Sequence, residues 1–163
     1  MTKTFKNLEK FAEHMQKVAE NYEKHENYAL KFIGIELEKS AKEKIGHLQQ
    51  GAGPFEAWKE LADSTKQEKE RLGYVYNNDY NPLFRTGHLR DSIKYVVNKV
   101  TSTVYIGSSD QIMVYQEFGT QFIPPRSVLG LTLFKAKPFI IGTLGTMMVN
   151  LISGNRMTFK KGY

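Results

Sequence analysis

From Phe5 to Ile45 the chain repeats apolar residues every third or fourth position. Phe5, Leu8, Ala12, Met15, Ala19 and Tyr22 form the first stretch, and Ala29, Phe32, Ile33, Leu37, Ala41 and Ile45 resume it. That spacing is one face of an α-helix. Glu13–Lys17, Glu20–Lys24 and Glu38–Lys42 are i,i+4 pairs in the favourable orientation, each supporting the helix by a few tenths of a kcal/mol. A helix of about 40 residues extends about 60 Å. A domain of 163 residues is narrower than that, so one end must project or pack on a neighbour. Around His25-Glu26 the stripe turns polar, which leaves two ordinary helices separated near Asn27 as the alternative.

Gln49-Gln50-Gly51-Ala52-Gly53-Pro54 ends this arm, so the reading is a helical arm over 1–48, an α+β body over 54–153 and a basic tail over 154–163. Together they form one domain. After the break, Trp58, Leu61, Ala62, Thr65, Lys69 and Leu72 share a face if 55–72 is helical. The alternative is a loop through Trp58 and Leu61, with Asp63 or Ser64 capping a shorter helix. Gly73–Pro82 is rich in Tyr and Asn and reads as an exposed loop. Alternation predicts a strand at 93–99, and a turn at Thr101-Ser102 returns the chain as an antiparallel strand at 103–107. Asp110 then caps a short helix over 111–118, with Ile112, Tyr115 and Phe118 expected inward and Gly119 as its left-handed C′ residue. Pro124-Pro125 forces extended backbone. Val128–Phe134 reads as a short β-like run, Pro138 as the first turn of a last helix over 139–152, and Gly154 as its stop. The fold class is α+β. The loops at 74–82 and 119–127 carry few apolar anchors and are expected to be mobile until a partner binds.

Composition narrows the function. The chain has no cysteine, which excludes disulfides, thiolate zinc sites and cysteine nucleophiles. His14, His25, His47 and His88 lack metal-ligand spacing. Asp110 and Glu117 lie about 10 Å apart on a helix, and capping explains Asp110 better than acid catalysis. Neither Ser92 nor Ser109 sits in a nucleophile turn, and no Gly-rich phosphate loop occurs. The expectation is no enzyme, no catalytic residue, no metal and no cofactor. The apolar run Phe139–Ile152 is too short and too broken by glycine to span a bilayer, and the start of the chain has no apolar leader-like region. A soluble product is expected. A net charge of +6 permits contact with nucleic acid without demanding it.

Two features stand out between Leu83 and Gly130. Gly87 in Thr86-Gly87-His88-Leu89 supplies a backbone conformation other residues resist. Arg126, following two prolines in a loop that reads as too polar for core, can offer several donors at once. It either locks its own loop or contacts another subunit.

In order along the chain, these residues resemble the virion-morphogenesis proteins of long-tailed bacteriophages, the neck or tail-completion family. The pattern is a long N-terminal helix, then Trp58, Leu61, Thr65 and Lys69, then Leu83, Thr86, Gly87, Leu89, Ser92 and Ile93. Val104, Ile106 and Gly107 follow, then Tyr115, Phe118 and Gly119, and last Ile123, Pro124, Arg126, Leu129 and Gly130. The match covers about residues 50–130. It departs at Ser127-Val128, where the family usually has Pro-Phe, and in the longer Tyr/Asn loop. The resemblance implies a homo-oligomeric ring, commonly a hexamer, between head connector and tail tube or terminator. DNA would pass through its lumen without sequence recognition. Such a protein resides in the virion neck, and in the host cytoplasm during assembly, with no enzymatic activity, cofactor or membrane. The candidate interface or loop-pinning residues are Trp58, Thr86, Gly87, Tyr115, Phe118, Gly119, Pro124 and Arg126. The competing reading is a basic DNA-binding protein acting outside the virion.

Overall fold

A computed structural model describes residues 4–76 and 79–157. Asn77 and Asn78 of the Tyr/Asn loop, and residues 158–163 of the expected basic tail, lie outside them. The fold is α+β. In order it runs α1 (Leu8–Lys44), α2 (Asp63–Arg71), α3 (His88–Asp91), β1 (Ile93–Asn98), β2 (Thr103–Ser108), α4 (Ile112–Phe118) and α5 (Leu129–Ser153).

Helix α1 is continuous through Asn27, so the two-helix alternative does not occur. Asn7 caps it, its side-chain oxygen accepting the Lys10 N–H at 2.9 Å, and Lys42 and Lys44 suit the negative end of the dipole. Its 37 residues extend about 55 Å. All its buried residues fall between Ala29 and Lys44. The first half exposes Leu8, Phe11, Met15 and Tyr22. The second half carries the hairpin: the Tyr95 ring lies over Gly34, where an added Cβ would sit 2.2 Å from Tyr95 Cδ2. Glu38 accepts the Tyr95 backbone N–H at 3.1 Å, and its other oxygen meets Lys42 at 2.5 Å. Burial pushes the Glu38 carboxyl up, but the bonds from Lys42 and Tyr95 and the charge of Lys94 outweigh it, leaving it below its ordinary range.

Strands β1 and β2 pair antiparallel from Ile93↔Ser108 to Asn98↔Thr103, within a residue of the predicted spans. Asn98 closes the turn by accepting the N–H groups of Val100 and Thr101.

Three expectations are corrected. The segment before α2 is the loop through Trp58 and Leu61, but neither Asp63 nor Ser64 caps the helix: the N-cap is Ala62 and has no side-chain bond. Asp63 lies in the first turn, where its charge suits the dipole. In α4 the inward residue is Met113, with Gln116 and Glu117 half-buried beside it. Ile112, Tyr115 and Phe118 face out, Phe118 being 79% exposed. The helix turns its polar side inward because Glu117 is bonded to the start of α5. Finally, Val128–Phe134 is not a strand, and Pro138 lies well inside α5. Glu117 and the Ser127 and Thr132 hydroxyls hold the backbone at that end in helical form, and Pro138 removes only one hydrogen bond further along. Gly154 ends α5 with φ +69°. Its N–H and that of Asn155 bond back to Leu151 and Asn150, a Schellman closure.

Helix α5 runs antiparallel along α1. Ala136 packs with Ile33 and Leu37, the Phe139 ring lies 5.8 Å from that of Phe32, and the Ile152 carbonyl meets His14 Nε2 at 2.7 Å. Because it begins at Leu129, α5 is longer than the run read from sequence. Among the described residues it is one helix long and apolar enough to cross a membrane by length and composition.

Candidate functional site

The strongest constellation is a polar knot where the Trp58 loop, the end of α4 and the start of α5 meet. Its apolar floor is Ala41, Ile45, Trp58, Leu89, Ile93, Met113 and Val128. The buried indole of Trp58 donates to the Ser127 carbonyl at 3.2 Å. One residue earlier, Arg126 donates from Nε and Nη2 to the Lys59 carbonyl at 3.3 and 3.0 Å, and from Nη2 to the Glu60 carbonyl at 3.2 Å. Its own N–H reaches the Gln116 carbonyl. Arg126 is 6% exposed, which corrects the reading of its loop as too polar to be core. Burial, by desolvating the guanidinium, lowers its pKa from its ordinary value.

Glu117 completes the knot. Its carboxylate accepts the backbone N–H groups of Val128 (2.8 Å), Leu129 (3.0 Å) and Gly130 (2.7 Å), and the Ser127 hydroxyl. A helix start leaves such donors without partners, and its dipole favours a negative charge. This residue caps α5 from another helix. Gly130 leaves the room: an added Cβ there would sit 2.7 Å from the Phe55 ring and 2.9 Å from Glu117 Oε1.

A second knot holds the Tyr/Asn loop. The buried Lys69 donates Nζ to the carbonyls of Tyr80 (2.6 Å), Asn81 (3.0 Å) and Phe84 (2.6 Å). Desolvation pushes its pKa down, and the charge of Arg85 adds to that. Tyr80 also bonds Glu70 through its hydroxyl. In the 119–127 loop, Thr120 and Ile123 exchange backbone bonds. Polar groups thus anchor Tyr80, Asn81 and Phe84 and bridge Thr120 to Ile123, anchors that composition did not announce.

Between the knots lies a cleft of about 610 Å³ lined by Leu61, Phe84, Thr86, Gln116, Pro124 and Phe122, among others. Among the described residues, Gln116 Oε1 is buried there without a hydrogen-bond partner. His88 Nδ1 and Asp110 Oδ2 pair at 3.1 Å at the edge, while Asp110 Oδ1 accepts the Ile112 N–H at 2.9 Å.

Of the residues singled out from sequence, Trp58 and Arg126 meet in the first knot. Gly119 and Pro124 shape the loop beside it. Gly119 takes φ +74°, though with extended ψ rather than the expected left-handed helical value, and a Cβ there would meet the Ile123 carbonyl at 2.9 Å. Gly87 takes φ +89° at the start of α3, next to the exposed Thr86 on the cleft wall. Tyr115 and Phe118 lie apart from the knot on the outer face of α4. Sequence reasoning missed Glu117 as a cap. The available signal was a lone carboxylate in the otherwise uncharged stretch Gln111–Pro125.

Among the described residues no cluster of His, Asp or Glu is placed to hold a metal ion. No protein-family model, curated protein or solved structure matches the chain.

Proposed function

We propose that this chain is a structural subunit of a phage neck, completing the tail end and joining it to the head connector as an oligomeric ring through which DNA passes. The observation that supports this reading is that most of the motif carrying the resemblance packs together, Tyr115 and Phe118 standing outside. Trp58, Leu89, Ile93 and Leu129 lie in or against one apolar cluster, and Arg126 and Lys69 each bind backbone carbonyls bordering the same cleft. Residues far apart in sequence thus pack as one unit, which supports reading them together. Much of what this unit leaves outside is apolar. Phe118 and Phe122 stand on the surface beside it, and Leu8, Phe11 and Met15 are exposed at the far end of the arm. Exposed apolar groups of this kind suit protein contacts. Assembly then proceeds by surface complementarity, and the net positive charge eases passage of a polyanion.

The test is genetic and structural. Phage lacking this protein should accumulate filled heads and finished tails that do not join, and adding the purified protein to such a lysate should restore joining. Joined, infectious particles without it would overturn the reading. If the monomer instead binds duplex DNA at useful affinity, with a steep loss as salt rises, the reading outside the virion takes its place.

A further inference from the structure

Two surfaces of this chain are apolar and uncharged, and both face solvent. The first is the outer side of α4, with Val114, Tyr115 and Phe118, the last 79% exposed, flanked by Ile112 and the 85% exposed Phe122 at the mouth of the cleft. From Gln111 to Pro125 the only charged residue is Glu117, and its carboxylate is engaged at the start of α5. The second is the outer stripe of α5, with Ile141 (61% exposed), Met148, Val149 (62% exposed) and Ile152. Gly142 and Gly145 lie open between them, with nothing among the described residues within 4 Å of an added Cβ. From Pro138 to Asn155 there is no charged residue. A surface helix of a monomer normally carries charge on its outer side, and one that is apolar all round is normally covered.

A bilayer does not suit as the cover. α1 lies antiparallel along α5 and would enter with it, carrying the exposed charges of Lys17, Glu20, Glu23, Lys24 and Lys31, which hydrocarbon does not readily accept. Nor can the two surfaces cover each other within one chain. Glu117 holds α4 at Gly130, and Gly142 lies about 18 Å further along α5.

We infer that copies of this chain bind one another head to tail, the α4 face of one against the outer stripe of α5 in the next. This deepens the ring reading and rests on it for closure of the array; the contact itself does not. Each face presents on the order of 500 Å² of apolar side chain. One face from each partner, with a polar rim, reaches the roughly 1,200 Å² at which specific interfaces begin. A back-to-back pairing through α5 alone would leave the α4 face open. The head-to-tail contact covers both, and a contact between two different faces is the kind that closes rings.

The chain has no cysteine, so single cysteines report the contact cleanly. Phe122→Cys and Gly142→Cys, both at exposed positions, are treated with a long-arm bis-maleimide at millimolar protein concentration. The expected result is a dimer band only in the equimolar mixture of the two variants, and a ladder from the double variant. Phe118→Glu and Val149→Glu should each abolish higher oligomers, while their mixture stops at dimers. Dimers of Gly142→Cys alone, absence of any crosslink at that concentration, or flotation with phosphatidylcholine–phosphatidylglycerol vesicles would each overturn the inference. Circular dichroism of every variant checks that the fold is retained. A ladder from a protein that fails to join heads to tails would sink the neck reading and leave this contact standing. Restored joining by a protein without the cross-face contact would do the reverse.

Discussion

Arg126→Ala tests whether the first knot holds the molecule together or only decorates its surface. The guanidinium is almost fully buried and makes its bonds to the Lys59 and Glu60 carbonyls within its own chain. Hydrogen bonds from a charged donor contribute about 1.5–3 kcal/mol net. Two circumstances hold the total near the middle of that scale. Lys59 and Glu60 are exposed residues, so water can reach their carbonyls once the guanidinium is gone. Removing the group also relieves the desolvation that lowers its pKa. The expected loss is about 2–3 kcal/mol, which for a chain of this length lowers the melting temperature by roughly 5–10 °C. Arg126→Lys should fall between, because an ammonium cannot reproduce the fork. Thermal unfolding by circular dichroism reads both. A melting temperature for the alanine variant within about 2 °C of the parent would refute the reasoning. If head–tail joining were then lost at a temperature where that variant stays folded, Arg126 would be a subunit contact instead.

Glu117→Gln keeps one acceptor oxygen but turns an amide NH₂ toward backbone donors, so a loss of about 2–4 kcal/mol is expected. Faster hydrogen exchange confined to residues 128–132 would identify the start of α5 as the part released, and unchanged exchange there would reject the cap. Lys69→Met removes the donor shared by the Tyr80, Asn81 and Phe84 carbonyls. It should cost about 2 kcal/mol and loosen 79–85 without touching the hairpin; an equally stable variant would mean that desolvation of Lys69 cancels its bonds. Gly34→Ala gains about 0.5–1 kcal/mol of helix propensity but places a methyl inside the Tyr95 ring position. A net destabilisation that shrinks in a Tyr95→Ala background is expected, and simple additivity would argue against the contact. The folded-state pKa of Glu38 is lowered, so its contribution to stability is present above its unfolded pKa and is lost as pH falls through the folded one. The difference in urea midpoint between the parent and Glu38→Gln should therefore be largest near neutrality and fade below roughly pH 4. A difference constant down to pH 3 would contradict that.

What was legible in the sequence was whatever rests on local spacing. The period of α1, the alternation of β1 with the turn that returns the chain as β2, and the positive φ at Gly87, Gly119 and Gly154 follow from residues within a few positions of each other. The misreadings came where a distant residue decides a local conformation. Val128–Phe134 has the β-branched and aromatic composition of a strand, yet Glu117 supplies acceptors for its first N–H groups. Ser127, whose hydroxyl oxygen accepts the Leu131 N–H, was the local start signal, partly masked by the prolines before it. Lys69 and Arg126 were visible as residues, but their carbonyl partners belong to loops whose path no periodicity announces.

The error in α4 has a different cause. Ile112, Tyr115 and Phe118 keep a helical spacing of apolar residues that ordinarily marks a buried face. Here the buried face is Met113 with Gln116 and Glu117, because the chain needs a carboxylate at the start of α5 more than it needs another apolar contact there. The rule linking apolar periodicity to burial assumes that all burial happens within one chain. The same assumption fails along α5, where Ile141, Met148, Val149 and Ile152 are apolar and open. Both departures fall on the two surfaces assigned to the head-to-tail contact. If that contact forms, the periodicity of α4 was a correct record of burial, and only the partner was missing: the faces that looked misplaced in one copy are core positions of the assembly. Single substitutions separate the cases. Phe118→Ser should leave the melting temperature of the dilute protein unchanged while weakening self-association at high concentration. Equal loss of stability at every concentration would mean that Phe118 packs within its own chain after all.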